Sequence, residues 1–147
     1  MTKPLPPSLP CMCASLRRAS RALTQFYEEA LRPVGLRATQ FTVLQTLSLA
    51  GEVTQGKLGQ ILAMDSTTLT RTITIMSRHG WIAKRRGEDR REWRIGLSEA
   101  GETQLKQAMP HWEKAQTRLR RQLGEELSNN LMKLTQKVTN VLIDKGE

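Results

Sequence analysis

The segment from Asp65 to Gly80 reads as a helix with two chemically opposed faces, and the rest of the chain has to fit around it. Asp65 is suited to cap the helix start, where its carboxylate accepts a free main-chain N–H, and Gly80 is suited to the left-handed position just past the end. Met64, Leu69, Ile73 and Met76 recur at helical spacing and are expected to be buried, whereas Thr67, Thr70, Arg71, Thr74 and Arg78 fall on an exposed stripe. That stripe offers hydroxyls and guanidinium groups and no carboxylate. Threonine is a mediocre helix former, because its χ1 is restricted against the preceding turn, so helix stability does not account for its repeated use here. Hydroxyl and guanidinium groups on a rigid rod match the edges and phosphates of a DNA major groove. A plain polar surface helix is the alternative.

The next segment bears on that choice. Trp81 to Arg86 reads as a strand and Gly87 to Arg91 as a charged turn. Glu92 to Leu97 reads as a returning strand in which Trp93, Ile95 and Leu97 alternate with Arg94 and Gly96. From Arg78 to Arg94 seven cations (Arg78, Lys84, Arg85, Arg86, Arg90, Arg91, Arg94) face three acids (Glu88, Asp89, Glu92). A cationic hairpin beside a threonine-arginine helix is the footprint of a polyanion site.

Upstream, Leu16, Ala19, Leu23, Phe26, Ala30 and Leu31 form an apolar helical stripe ended by Arg32-Pro33-Val34-Gly35. Thr39 is placed to cap a second helix carrying Phe41, Leu44 and Leu47 inward, with Gly51 after its end. Thr54 is placed to cap a short third helix whose Leu58, Ile61 and Leu62 face the core. A short helix, a tight turn and the Asp65–Gly80 helix make a helix-turn-helix. Downstream, Ser98 can cap a long fifth helix with Leu105, Met109, Trp112, Gln116, Leu119 and Leu123 on one seam, and Pro110 is a site for a kink. After Gly124 the pattern resumes in Leu127, Leu131, Leu134, Val138 and Val141. These narrow seams suit packing against a second copy of the chain, with packing inside one chain as the alternative. The expected fold is therefore mainly α with a small antiparallel β wing.

With 147 residues the chain fits one domain, expected over residues 11–147 behind a flexible arm at residues 1–10 that is rich in proline (Pro4, Pro6, Pro7, Pro10). Its net charge of +9 favours a polyanionic partner. No stretch approaches the ~20 apolar residues of a membrane span, and Met1 to Pro10 lacks the apolar run of a secretory signal, so a cytoplasmic location is expected.

Asp89-Arg90-Arg91 followed by Trp93-Arg94-Ile95-Gly96-Leu97-Ser98-Glu99-Ala100-Gly101 resembles the wing and following helix start of the MarR family of winged helix-turn-helix regulators. Leu36-Arg37-Ala38-Thr39-Gln40-Phe41, with Val43 and Leu44, resembles the family's second helix, and Thr54 to Leu62 its third. The resemblance covers about residues 12 to 145. It implies a winged lobe over about 36–97 and a twofold dimerisation region over about 11–35 and 98–147. It further implies a homodimer that regulates transcription, as a repressor, by binding double-stranded DNA at an inverted repeat with half-sites ~10 bp apart. Ser66, Thr67, Thr70, Arg71 and Thr74 are then expected at base edges and nearby phosphates, and Arg78 at phosphate. The resemblance puts Arg91 in the minor groove, held by an ion pair with Asp89, while Arg86 and Arg90 track the backbone.

The regulating signal is open at this stage. Cys11 and Cys13 lie at the start of the first helix, where a thiolate is favoured, and the hydroperoxide-sensing branch of the family carries a reactive cysteine there. Cys13 stands fourteen residues before Tyr27, as in that branch, yet Ala38 and Phe41 occupy places where the branch has tyrosines. A small-molecule effector is the second option, and the resemblance implies a pocket lined by Tyr27, Phe41, His111 and Trp112. Inert buried cysteines are the third. With only His79 and His111 as companions, the cysteines make no metal site, and no cofactor is expected. The residues offer no catalytic constellation, so an enzyme is not expected; a thiol oxidoreductase using Cys11 and Cys13 is the one enzymatic alternative. A non-specific architectural nucleic-acid-binding protein is the other alternative.

Overall fold

The computed structural model describes Pro4, Pro6 and residues 8–143. Of the expected arm, residues 1–3, 5 and 7 lie outside the described residues, and Ser8 to Pro10 forms neither helix nor strand. The first helix, α1 (Met12–Leu31), ends in a single 3₁₀ turn, Arg32–Val34, and Gly35 closes it with φ +71°. Proline can start such a turn because it needs no N–H partner there, and only glycine adopts the closing conformation without strain.

Helix α2 (Ala38–Ala50) begins two residues earlier than a Thr39 cap implied. The cap is Arg37, whose main-chain N–H donates to Gln40 Oε1 at 3.0 Å. This contact satisfies the Arg37 N–H; it does not replace the bond that a threonine hydroxyl was expected to accept from the first turn, since a guanidinium has no acceptor. Next come the two-residue strand β1 (Val53–Thr54), α3 (Gln55–Leu62) and α4 (Ser66–Arg78). Thr54 caps α3 by accepting from Lys57 N, and Asp65 caps α4 by accepting from Thr68 N. At the other end of α4, Gly80 N donates to Ser77 O and Trp81 N to Met76 O, the paired bonds of a left-handed glycine stop.

Strands β2 (Ile82–Arg86) and β3 (Trp93–Leu97) form the hairpin. The sheet has three strands in the order β1-β3-β2, all antiparallel, with Val53 opposite Ile95 and Arg86 opposite Trp93. The first of these strands was not expected. Helix α5 (Glu99–Leu123) starts on the Ser98 cap, and α6 (Glu125–Leu142) follows directly after Gly124.

The core lies where α2, α3, α4 and the sheet meet the end of α1 and the first half of α5; Leu31, Val43, Leu44, Leu58, Leu69, Ile73, Met76 and Ile95 are almost wholly buried there. Leu58 is the buried residue of α3, while Ile61 is exposed, contrary to its expected inward position. With eight residues, α3 turns only one narrow face inward. The far ends of α1, α5 and α6 bury little within the chain. Leu16, Leu127, Leu134 and Val141 all remain exposed.

Candidate nucleic-acid interface

The turn between α3 and α4 sets the interface. Ala63 takes a left-handed conformation with φ 53°, and Met64 N returns to Gly59 O at 3.0 Å. A Cβ on Gly59 would lie 3.3 Å from Met64 O and 3.4 Å from a Leu69 methyl, so a small residue lets the two helices close. Gln55 Nε2 donates to Thr70 Oγ1 at 3.0 Å and ties the start of α3 to the middle of α4. The inward face of α4 is Leu69, Ile73 and Met76, as its spacing required; Met64, in the turn before the cap, is half-buried.

The outward face of α4 carries Ser66, Thr67, Thr70, Arg71, Thr74 and Arg78, all exposed. Their hydroxyls are not equally free. Thr74 Oγ1 donates to Thr70 O at 2.7 Å, and Thr70 Oγ1 is the acceptor for Gln55. Ser66, Thr67 and Arg71 make no side-chain hydrogen bond or ion pair among the described residues, which leaves their full bonding capacity to an outside partner. Asp65 accepts from both the main-chain N–H and the hydroxyl of Thr68, each at 2.8 Å. Those bonds hold the Asp65 carboxyl below the usual carboxylate range.

At the wing tip, Glu92 N donates to Asp89 O at 2.9 Å, closing a turn in which Asp89 Oδ1 also accepts from Arg91 N at 3.0 Å. The expected Asp89–Arg91 ion pair is present, with Nε to Oδ1 at 3.5 Å, and the Arg91 side chain is 91% exposed. Arg90 is exposed as well. Arg86 is engaged within the hairpin. Its guanidinium donates to Arg90 O at 2.6 Å and stacks 4.0 Å from the Trp93 ring centre, so it braces the hairpin instead of projecting freely.

At the wing root, Glu52 and its pairing with Arg85 and Arg94 were missed. Glu52 Oε1 lies 2.7 Å from Arg94 Nε and 2.6 Å from an Arg85 terminal nitrogen. The hydrogen bonds from Arg94 and then Arg85 hold the Glu52 carboxyl below its ordinary range. Register was the available signal: Arg85 and Arg94 stand directly opposite in the hairpin, and like charges so placed call for a counter-ion.

The remaining expected residues separate into two places. Tyr27, Phe41 and Trp112 line a groove of about 570 Å³ between α1, α2, α5 and α6, with Phe41 and Trp112 stacked at 5.8 Å and the Tyr27 hydroxyl donating to Gln116. Burial pushes the Tyr27 phenol up. His111 is not part of this groove. It lines a separate depression with Phe26, Pro110 and Arg118, because it lies one residue around the helix from Trp112. Cys11 and Cys13 flank the start of α1 and are both exposed in this chain. Among the described residues no group of three or more His, Cys, Asp or Glu is placed to hold a metal, and no helix is long and apolar enough to cross a membrane.

Helices α3 and α4, followed by the β2–β3 hairpin and framed by long helices, define a winged helix-turn-helix protein. Residues 36–93 match the model of the MarR family. The structure resembles that of the Mycobacterium tuberculosis transcriptional regulator MosR in complex with DNA, with a TM-score of 0.78 and 34% identity, covering 90% of this chain and 98% of that one. The chain belongs to the MarR family of transcriptional regulators. It is 33% identical over 87 residues to YwoH, an uncharacterized HTH-type transcriptional regulator of Bacillus subtilis, covering 59% of this chain and 64% of that one. It is also 33% identical over 91 residues to the organic hydroperoxide resistance transcriptional regulator of the same organism, covering 61% and 62%. The matched stretches thus span under two thirds of the length of these curated relatives.

Proposed function

We propose that the protein is a sequence-specific double-stranded DNA-binding transcriptional repressor that acts as a homodimer on an inverted repeat. The observation that carries this reading is the exposed, carboxylate-free face of α4 standing beside a wing whose tip presents Arg90 and Arg91. Ser66, Thr67 and Arg71 read base edges, Thr70 and Thr74 present methyls and lone pairs to the same groove, and Arg78 and Arg90 hold phosphate. Arg91 enters the minor groove with its guanidinium steadied by Asp89. The winged lobe spans about residues 36–97, and the two-fold pairing region spans about 11–35 and 98–147. The exposed apolar residues of α1 and α6 support that pairing. The protein works in the cytoplasm and carries no catalytic activity.

Release from DNA follows thiol oxidation or ligand binding. Exposure of Cys11 and Cys13 supports the first, since a thiolate must be reached to be oxidised. The groove lined by Tyr27, Phe41 and Trp112 supports the second. Either signal acts by favouring a separation of the two α4 helices that no longer matches the DNA repeat.

Fluorescence anisotropy on genomic fragments selected by the protein, first reduced and then treated with peroxide at fixed salt, separates these readings. Loss of affinity that reductant restores supports the thiol switch. Affinity unchanged by peroxide eliminates it and leaves the ligand groove. Absence of any selected fragment contradicts the operator reading.

A further inference from the structure

Glu52 sits at the corner where the chain leaves α2 and enters β1. One of its carboxylate oxygens meets both Arg85 on β2 and Arg94 on β3, and its main-chain carbonyl accepts from Arg94 Nη2 at 3.1 Å. The Glu52 side chain lies across β3 over Gly96, where a Cβ would meet it at 3.6 Å, an ordinary van der Waals contact. The opposite face of the same hairpin holds Lys84 and Arg86 against Trp93, at 4.5 and 4.0 Å from its ring. Strand alternation therefore divides the wing's cations into three sets: two on Trp93, two on Glu52, and Arg90 and Arg91 at the tip.

This division has a consequence for sequence reading. A free arginine near duplex DNA gains phosphate contacts, which raise affinity for every sequence alike. Tying Arg85 and Arg94 to an acid withholds that uniform gain. The same contact joins the corner before β1 to both strands of the wing, and so sets the wing's direction relative to α4.

We propose that Glu52 is a positioning residue for operator recognition: it withholds Arg85 and Arg94 from phosphate and fixes the wing so that Arg91 determines where the hairpin lies. The inference rests on the operator-binding reading above.

The test compares wild type, Glu52→Gln and the triple variant Glu52→Gln/Arg85→Gln/Arg94→Gln on a selected operator and on a random duplex of equal length, across a salt series. Glu52→Gln is expected to steepen the fall of log K with log salt on random DNA by about 1–2, one or two released phosphate contacts. Its operator-to-random ratio is expected to drop about tenfold. The triple variant is expected to regain the wild-type slope while keeping the lowered ratio, since the cations are gone and the wing is still unbraced. Equal weakening on both DNAs with an unchanged slope would show a purely structural acid and overturn the assignment. A wild type that itself lacks operator preference would overturn the operator reading first, whereas a specific wild type with an indifferent Glu52→Gln would overturn this inference alone.

Discussion

A Cβ placed on Gly101 would stand 2.1 Å from the main-chain oxygen of Trp81. The same oxygen accepts from Ser98 N at 3.1 Å, and Ser98 Oγ both accepts from Gly101 N and donates to Gly80 O. The start of α5 is thus seated on the end of α4 through main-chain atoms, which cannot swing aside as a flexible side chain can. Gly101→Ala is expected to destabilise the fold by about 1–3 kcal/mol, the usual range for overpacking, read as a lower denaturant midpoint with the slope unchanged. A midpoint equal to wild type would mean that α5 does not rest on Trp81 in solution.

Asp65 gives a pH prediction with a definite sign. Its folded carboxyl titrates below the ordinary range, first because Thr68 N donates to it and next because the Thr68 hydroxyl does. A depressed folded value contributes stability above the unfolded value, near pH 4, and the contribution is lost as pH falls through the folded value. Asp65→Ala is therefore expected to melt at a lower temperature than wild type at neutral pH, and the gap should narrow on acidification below about pH 4. Thermal melts followed by circular dichroism across that range decide it. A gap that stays constant would show that the carboxylate's charge has no part in the cap.

The proposed dimer can be tested at Leu134, which is 62% exposed on the apolar row of α6 with Leu127 and Val141. Leu134→Glu places a charge in a seam that pairing would bury, which is strongly unfavourable without a partner. Sedimentation is expected to show monomer where wild type is dimeric, together with a large loss of operator affinity. An unchanged dimer would move the pairing surface off this face of α6.

Much of this architecture was legible because local chemistry and tertiary packing agreed. Asp65, Gly80, Thr54 and Ser98 cap or stop their helices where the pattern placed them, and Leu69, Ile73 and Met76 fill the core. The Asp89–Arg91 pair at the wing tip was expected from the family resemblance alone, and Asp89 serves both the turn and Arg91. What escaped depended on contacts distant in sequence. Strand β1 is two residues long, too short for any alternation to register, and without it Glu52 had no visible link to Arg85 and Arg94. Thr39 lost the α2 cap to Arg37 because Gln40 reaches back to the Arg37 N–H. The stacking of Arg86 on Trp93, its partner directly opposite in the hairpin, was likewise not foreseen. His111 and Trp112 are adjacent in sequence, and a step of about 100° around the helix sends them to different grooves.

The central claim is that α4 reads sequence, and Arg71 tests it most directly because no partner within the described residues holds its side chain. The measurement is the operator-to-random affinity ratio at one salt concentration for wild type and Arg71→Ala. Wild type is expected to prefer its operator by at least ~10³, and Arg71→Ala to lose about 1–3 kcal/mol on the operator with a much smaller loss on random duplex. A wild-type ratio near one, or equal losses on both DNAs, would contradict the claim.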